Sequence, residues 1–128
     1  MIYVDSSVLL AQLLAEDEHP PVTLWDRPLV SSRLAEYEVW TRLNARGLAG
    51  SHGEAAALLL GRLHVVELQP FVLARALEPF PSPVRTLDAL HLASMEFLRA
   101  RGLRIELAAY DQRLLSAARE LEIPRHSL

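Results

Sequence analysis

The chain has 128 residues, of which 51% are hydrophobic and 23% are charged, and its formal net charge is −3. This composition supplies a hydrophobic core and excludes an intrinsically disordered chain, and the length suits one domain, which we expect to span residues 1–128. The absence of cysteine excludes disulfides, thiolate nucleophiles and cysteine-based zinc sites.

Short strands and longer helices alternate along the chain. Runs rich in β-forming residues lie at 2–4, 28–31, 64–68 and 105–109. Helical patterns cover 8–15, 22–26, 33–46, 51–63, 70–77, 85–101 and 111–121. Strands separated by helices predict an α/β fold in three α/β/α layers, with a central parallel sheet of four to five short strands.

Capping and breaking residues predict where some helices begin and end. Gly47 and Gly50 are expected to end the helix over 33–46. Ser51 and Glu54 have the spacing of a capping box, Ser-x-x-Glu, which gives Glu54 a structural role at the start of the next helix.

Three of the aspartates occupy comparable positions in this pattern. Asp5 and Asp111 each follow a predicted strand and precede a helix, and Asp88 lies in the first turns of the longest helix. Such positions meet at the carboxyl edge of a parallel sheet, where ligands bind. Clustered carboxylates repel one another unless a cation neutralises them, and Mg²⁺ prefers oxygen ligands. Taken alone, Asp5 or Asp111 is also explained as a helix N-cap, and Asp88 as a negative charge that compensates the dipole in the first turn of its helix.

Four segments carry a resemblance to a known family. They are MIYVDSSVLL from residue 1, VSSRLAEYEVWTRL from residue 30, RTLDALHLASM from residue 85 and LAAYDQRLLSAARELEIP from residue 107. Together they resemble the PIN domain, and within that superfamily the VapC type of toxin ribonuclease. The similarity runs nearly end to end, and the DALHLA segment is its most specific part.

The resemblance implies a ribonuclease whose four acidic residues bind one or two Mg²⁺ or Mn²⁺ ions. Carried over by position, these catalytic and metal-binding acids are Asp5, Glu38, Asp88 and Asp111. Ser7 resembles the small polar residue that supports the first aspartate.

The resemblance also implies several partners. It predicts an RNA substrate, a homodimer, and inhibition by a small antitoxin protein encoded beside the toxin. No segment resembles a signal peptide, and no apolar run reaches the roughly 18 residues of a membrane span, so we expect a cytoplasmic protein without a membrane partner.

Two positions depart from a simple match. Glu36 and Glu38 lie in one predicted helix, about 200° apart around its axis, and the spread of hydrophobic residues does not decide between them. The motif favours Glu38, six residues after Ser32. The family usually has Thr two residues before the fourth acid, where this chain has Ala109, so a hydroxyl that supports the site is lost.

Arginines and one histidine also lie near the acidic residues in the sequence. All 13 basic residues are arginines, and the net charge is negative, so contact with RNA requires a local cluster of arginines. Arg33, Arg42, Arg85 and Arg113 lie near the acidic motifs. We expect His91 to pack within the core and not to join the site, because a lone histidine on an apolar face is seldom a ligand.

Other α/β classes fit the sequence poorly. The absence of lysine excludes a phosphorelay receiver domain and a haloacid-dehalogenase-type phosphatase, and no Gly-Lys-Ser/Thr forms a P-loop. The remaining alternative is a catalytically weak PIN-like scaffold that binds RNA or protein and retains its acids only as helix caps.

Overall fold

The computed structural model describes residues 1–128 and contains one sheet with helices on both faces. The strands are β1 (Ile2–Val4), β2 (Leu29–Ser32), β3 (His64–Val66) and β4 (Glu106–Ala108). The helices are α1 (Ser6–Leu14), α2 (Arg33–Ala45), α3 (Ala49–Leu60), α4 (Pro70–Ala76), α5 (Thr86–Ala100) and α6 (Gln112–Glu120), with a 3₁₀ helix at Val22–Asp26. None of the helices combines the length and the hydropathy that a membrane crossing requires.

The four strands are parallel and lie in the order β3-β2-β1-β4. This arrangement confirms the predicted α/β/α fold. The chain moves outward from β1 through β2 to β3 and then crosses to the other side of β1 to form β4. The strand order therefore reverses between β1 and β4, and the carboxyl end of this switch point is where open α/β sheets bind ligands.

Alternation along β1 divides the interior into two hydrophobic cores. Ile2 and Val4 pack with residues of α1, α2 and α3, whereas Tyr3 points to the opposite face and packs with residues of α5 and α6. All three side chains are at most 2% exposed. Because successive side chains of a strand point to opposite faces, this short central strand contributes to both cores.

The start of α3 differs from the prediction. Gly47 has a positive φ of 67°, and the N–H of Leu48 donates to the carbonyl of Leu43 at 2.8 Å, so the chain reverses tightly and the next helix begins at once. Helix α3 therefore starts at Ala49 and includes Gly50. The predicted Ser51–Glu54 capping box is wrong, because Ser51 lies inside the helix.

Gly102 follows α5 with a φ of +88°, and a Cβ added there would meet no atom within 4 Å. We expect Gly102→Ala to lower the free energy of unfolding by about 1 kcal/mol, because an L-residue is strained in the left-handed region. The matched control Gly50→Ala also meets open space but lies in α3, where alanine is favoured, and it should raise the free energy of unfolding by about 0.5 kcal/mol. Urea denaturation measures both changes in the free energy of unfolding. Changes of the same sign would contradict the left-handed conformation of Gly102.

Candidate metal centre

Asp5 lies directly after β1, at the switch point of the sheet. Its Oδ2 caps α1, accepting hydrogen bonds from the backbone N–H of Ser7 at 3.1 Å and from the Ser7 hydroxyl at 2.6 Å. The Ser7 hydroxyl in turn accepts the N–H of Tyr110, at 3.0 Å, from the loop after β4. The residue is only 4% exposed, and its Oδ1 takes part in none of these bonds. The protein thus holds Oδ2 of Asp5 by hydrogen bonds, whereas Oδ1 accepts none of them.

Glu38 is brought to the same edge by helix α2. Ser32 ends β2 and caps α2 by accepting the N–H of Leu34 at 3.0 Å, so the first turns of α2 lie above the carboxyl ends of the strands. Oε1 of Glu38 lies 2.6 Å from Nε2 of His91, and this nitrogen lies 3.9 Å from Oδ1 of Asp5. Ligand atoms of Asp5, Glu38 and His91 all lie within 4.8 Å of one another.

Glu36 lies outside this group. Its carboxylate forms an ion pair with Arg33 at 2.6 Å, and the guanidinium of Arg33 also binds Glu67. The structure therefore places Glu38, and not Glu36, beside Asp5.

His91 is buried, as expected of a histidine that packs in the core, but the expectation that it stays out of the site is wrong. The side chain is 1% exposed and lies at the centre of the group, with Nδ1 2.7 Å from the hydroxyl of Tyr3. Burial alone would lower the pKa of His91, but the hydrogen bond to Glu38 and the negative charges of Glu38, Asp5 and Asp88 outweigh it and raise the pKa. The sequence contained one signal, since His91 follows Asp88 by three residues and so lies on the neighbouring helical turn.

Asp88 and Asp111 lie next to the group formed by Asp5, Glu38 and His91. Asp88 is half-buried in the first turn of α5. Asp111 caps α6, where its Oδ1 accepts the backbone N–H groups of Arg113 at 2.9 Å and Leu114 at 3.3 Å. Among the charges that act on Asp88, Asp111 has the largest effect and Asp5 the next. The four acids predicted for the site therefore surround one edge of the sheet.

Two of the acids, Asp5 and Asp88, have a pKa raised above the ordinary value of an aspartate. Burial raises the pKa of Asp5, opposed by the charge of His91 and the hydrogen bonds from Ser7. Burial and the charges of Asp111 and Asp5 raise the pKa of Asp88. A bound divalent cation would relieve both effects, and carboxylate oxygens are the donors that Mg²⁺ and Mn²⁺ prefer. The residues present therefore fit such an ion.

Ala109 occupies the position where the resemblance predicts threonine. Its side chain is completely buried in the core that contains Leu92, Leu107 and Leu114. The methyl group of Ala109 therefore packs in the core and offers the neighbouring acids no hydrogen bond.

Of the arginines near the acidic motifs, Arg85 and Arg113 share a cleft with Asp88. This cleft has a volume of about 470 Å³ and lies between the start of α5 and the length of α6, from Arg113 to Glu120. Arg33 is engaged by two glutamates, whereas neither Arg85 nor Arg113 forms an ion pair. Their guanidinium groups are therefore available to a ligand in the cleft.

Comparisons with known proteins agree on one family. The family model described as PIN domain matches residues 2–120. Ribonuclease VapC47 of Mycobacterium tuberculosis is 34% identical over 131 residues, which cover 94% of this chain and 92% of the relative.

Two solved structures have a similar fold. The structure of VapC20 of Mycobacterium tuberculosis, described as a sarcin-ricin loop cleaving toxin, has a TM-score of 0.62 at 21% identity and covers 91% of this chain and 95% of its own. A toxin–antitoxin complex from Klebsiella pneumoniae contains a chain with a TM-score of 0.62 at 13% identity, covering 91% of each chain.

We expect Asp88→Asn to raise the melting temperature of the metal-free protein by roughly 2–5 °C near neutral pH. The difference in melting temperature between this variant and wild type should widen as pH rises. The folded-state pKa of Asp88 lies above its ordinary 3.8. The stability that protonated Asp88 contributes is therefore fully present below about pH 3.8 and is lost as pH rises through the raised pKa. Asparagine does not ionise in this range, so Asp88→Asn does not suffer this loss.

Thermal melts in EDTA between about pH 4 and about pH 8 measure this difference in melting temperature. Asp17→Asn, in an exposed loop, is the control and should show no comparable trend. A gap between wild type and Asp88→Asn that narrows with rising pH would contradict the crowding of acids around Asp88.

Proposed function

The chain belongs to the PIN domain family, and from this premise we propose that it is a divalent-metal-dependent endoribonuclease of the VapC type that hydrolyses RNA phosphodiester bonds. We propose Asp5, Glu38, Asp88 and Asp111 as its catalytic, metal-binding acids. The observation that supports this most is the convergence of Asp5 and Glu38 at the switch point of the sheet, with Asp88 and Asp111 beside them.

Mg²⁺ is the proposed cofactor, and Mn²⁺ is an alternative with the same ligand preference. A divalent ion bound there supplies Lewis acidity, which assists attack by water and offsets the negative charge that develops on the phosphate. The residues of the chain prepare the site by orientation. Ser7 holds one oxygen of Asp5, and the first backbone N–H groups of α6 hold one oxygen of Asp111.

Arg85 and Arg113 are proposed to hold RNA phosphates. The four acids repel a polyanion, so a positive surface beside them is needed to keep the RNA backbone at the site. The two guanidinium groups lie in the cleft with Asp88 and form no ion pair. Guanidinium groups bind phosphate oxygens through paired hydrogen bonds. The cleft between α5 and α6 is therefore the proposed path of the RNA strand.

We further propose that residues 1–128 act as a single PIN-like domain, as the toxin of a toxin–antitoxin pair, in a homodimer. The antitoxin partner is supported by the similarity to a chain of a toxin–antitoxin complex. Exposed apolar side chains in and just after α4 support the homodimer, since Phe71 is 69% exposed and Leu77 is 88% exposed.

We expect Glu38→Gln to lower RNA cleavage at a fixed Mg²⁺ concentration by about 100-fold or more, because it removes a negatively charged ligand. Glu36→Gln is the matched control two residues away on the same helix, and it should leave cleavage within about threefold of wild type, because Glu36 binds Arg33 and not the site. Cleavage of mixed cellular RNA is followed with Mg²⁺ or Mn²⁺, with EDTA, and with Asp88→Asn.

The proposal requires cleavage that depends on metal and is lost in Asp88→Asn. Folded wild-type protein that neither cleaves RNA nor gains thermal stability with Mg²⁺ or Mn²⁺ would overturn the nuclease. That result would favour the scaffold alternative, in which the acids serve only as caps. Equal loss in Glu36→Gln and Glu38→Gln would contradict the assignment of Glu38.

Arg85→Ala and Arg113→Ala are each expected to weaken RNA binding in EDTA by about five- to tenfold. Each should also reduce the slope of log affinity against log salt by about 0.7, the value for one single-strand phosphate contact. Arg46→Ala is the control, because Arg46 is exposed at the C-terminal end of α2, whereas the site lies near the N-terminal end of that helix. Fluorescence anisotropy with labelled RNA measures both quantities. An effect of Arg46→Ala equal to that of the cleft variants would show that only general charge matters.

A further inference from the structure

His91 connects the buried core to the acidic site. Its ring is 1% exposed and stands edge-on to the ring of Tyr3, with the centroids 5.9 Å apart at 88°. Nδ1 lies 2.7 Å from the Tyr3 hydroxyl, and Nε2 lies 2.6 Å from Oε1 of Glu38. Both ring nitrogens are therefore engaged by side chains that come from other elements, β1 and α2.

The contact between His91 and Glu38 fixes the position of a proton. An imidazole nitrogen and a carboxylate oxygen at 2.6 Å must share a hydrogen, because two acceptors would repel at that distance. Imidazole is the stronger base of the two, so Nε2 carries the hydrogen and donates it to Glu38. Nδ1 makes the second hydrogen bond, with the Tyr3 hydroxyl, which donates to a neutral ring and accepts from a protonated one.

We propose that His91 is a positioning residue, which holds Oε1 of Glu38 through Nε2–H and so leaves Oε2 of Glu38 for the cation. Tyr3 orients the imidazole ring from the core side. This inference rests on the proposed metal-dependent nuclease and assigns a role to a side chain outside its four acids. Glu38 needs such support more than Asp5 and Asp111 do, because it extends from within a helix and accepts no backbone N–H.

A direct metal–nitrogen bond is the competing arrangement. Nε2 of His91 lies within 4.8 Å of ligand atoms of both Asp5 and Glu38, so one ion reaches all three after a small movement. That arrangement requires Nε2 to lose its hydrogen and the contact with Glu38 to break. The two arrangements predict different outcomes for His91→Gln, because the amide N–H of glutamine replaces the hydrogen-bond donor but supplies no imidazole nitrogen.

The test compares His91→Gln with His91→Leu in Mn²⁺ binding by titration calorimetry and in RNA cleavage at varied Mn²⁺. We expect His91→Leu to weaken Mn²⁺ binding 10- to 100-fold, in the range typical of lost support for a ligand. His91→Gln should restore binding to within about fivefold of wild type. Cleavage at saturating Mn²⁺ should fall less than tenfold in His91→Leu, because a positioning residue acts mainly on metal affinity.

Tyr3→Phe provides a second variant that retains the ring and its packing. Without the hydroxyl, the orientation of His91 is less restricted, and Mn²⁺ binding should weaken about three- to tenfold. If His91→Leu does not fold, Tyr3→Phe and His91→Gln are compared with wild type. The inference then requires weaker Mn²⁺ binding in Tyr3→Phe and binding within about fivefold of wild type in His91→Gln.

Three results would overturn the inference. Nitrogen hyperfine coupling in the electron spin echo spectrum of the wild-type Mn²⁺ complex, with equal losses in the leucine and glutamine variants, would identify His91 as a ligand. Wild-type Mn²⁺ affinity in all folded variants would leave His91 a purely structural role. Wild-type protein that neither binds Mn²⁺ nor cleaves RNA would remove the proposed function itself, a failure distinct from the first two.

Discussion

The position of the Asp5 carboxylate at the end of the central strand determines where the rest of the site lies. The backbone N–H of Asp5 donates to the carbonyl of Ala108 at 2.9 Å, so β1 and β4 are still hydrogen-bonded where β1 ends. The side chain then starts α1 by accepting the N–H of Ser7. One residue thus ends a strand, begins a helix and places a negative charge at the switch point, where the positive end of the helix dipole favours it.

The alternation of β1 connects this charge to the hydrophobic core. Ile2 and Val4 fill the core on one face, and Tyr3 fills the core on the other, where its hydroxyl is completely buried. A buried hydroxyl or imidazole is costly unless it is hydrogen-bonded, and Tyr3 and His91 satisfy each other. The core beneath α5 is therefore continuous with the acidic edge, so a substitution at either residue acts on stability and on the site together.

Local sequence signals predicted the elements well and their junctions less well. Every predicted strand and helix has a counterpart, and the parallel order follows from strands separated by helices. The start of α3 was missed because the Leu48–Leu43 bond overrides the local capping pattern. The place of His91 was missed because it depends on Glu38, which lies 53 residues away in the chain. Choosing Glu38 over Glu36 rested on motif similarity, since helix periodicity alone did not decide it.

In three of the four acids, the protein holds one carboxylate oxygen by a hydrogen bond. Asp5, Glu38 and Asp111 each have one oxygen held by a protein donor, from Ser7, His91 and the start of α6 respectively.

Holding one oxygen fixes the orientation of each carboxylate before any ligand binds, which lowers the entropy that binding must overcome. Because backbone N–H groups hold Asp111, its orientation does not depend on a hydroxyl at Ala109, and that position is free to fill the core. The cost of this arrangement is electrostatic, since burial raises the pKa of Asp5 and the neighbouring charges add to the same effect at Asp88. A metal-free chain near neutral pH therefore retains repulsion that a bound cation would relieve, and the fold is less stable at this edge than its packing alone would make it.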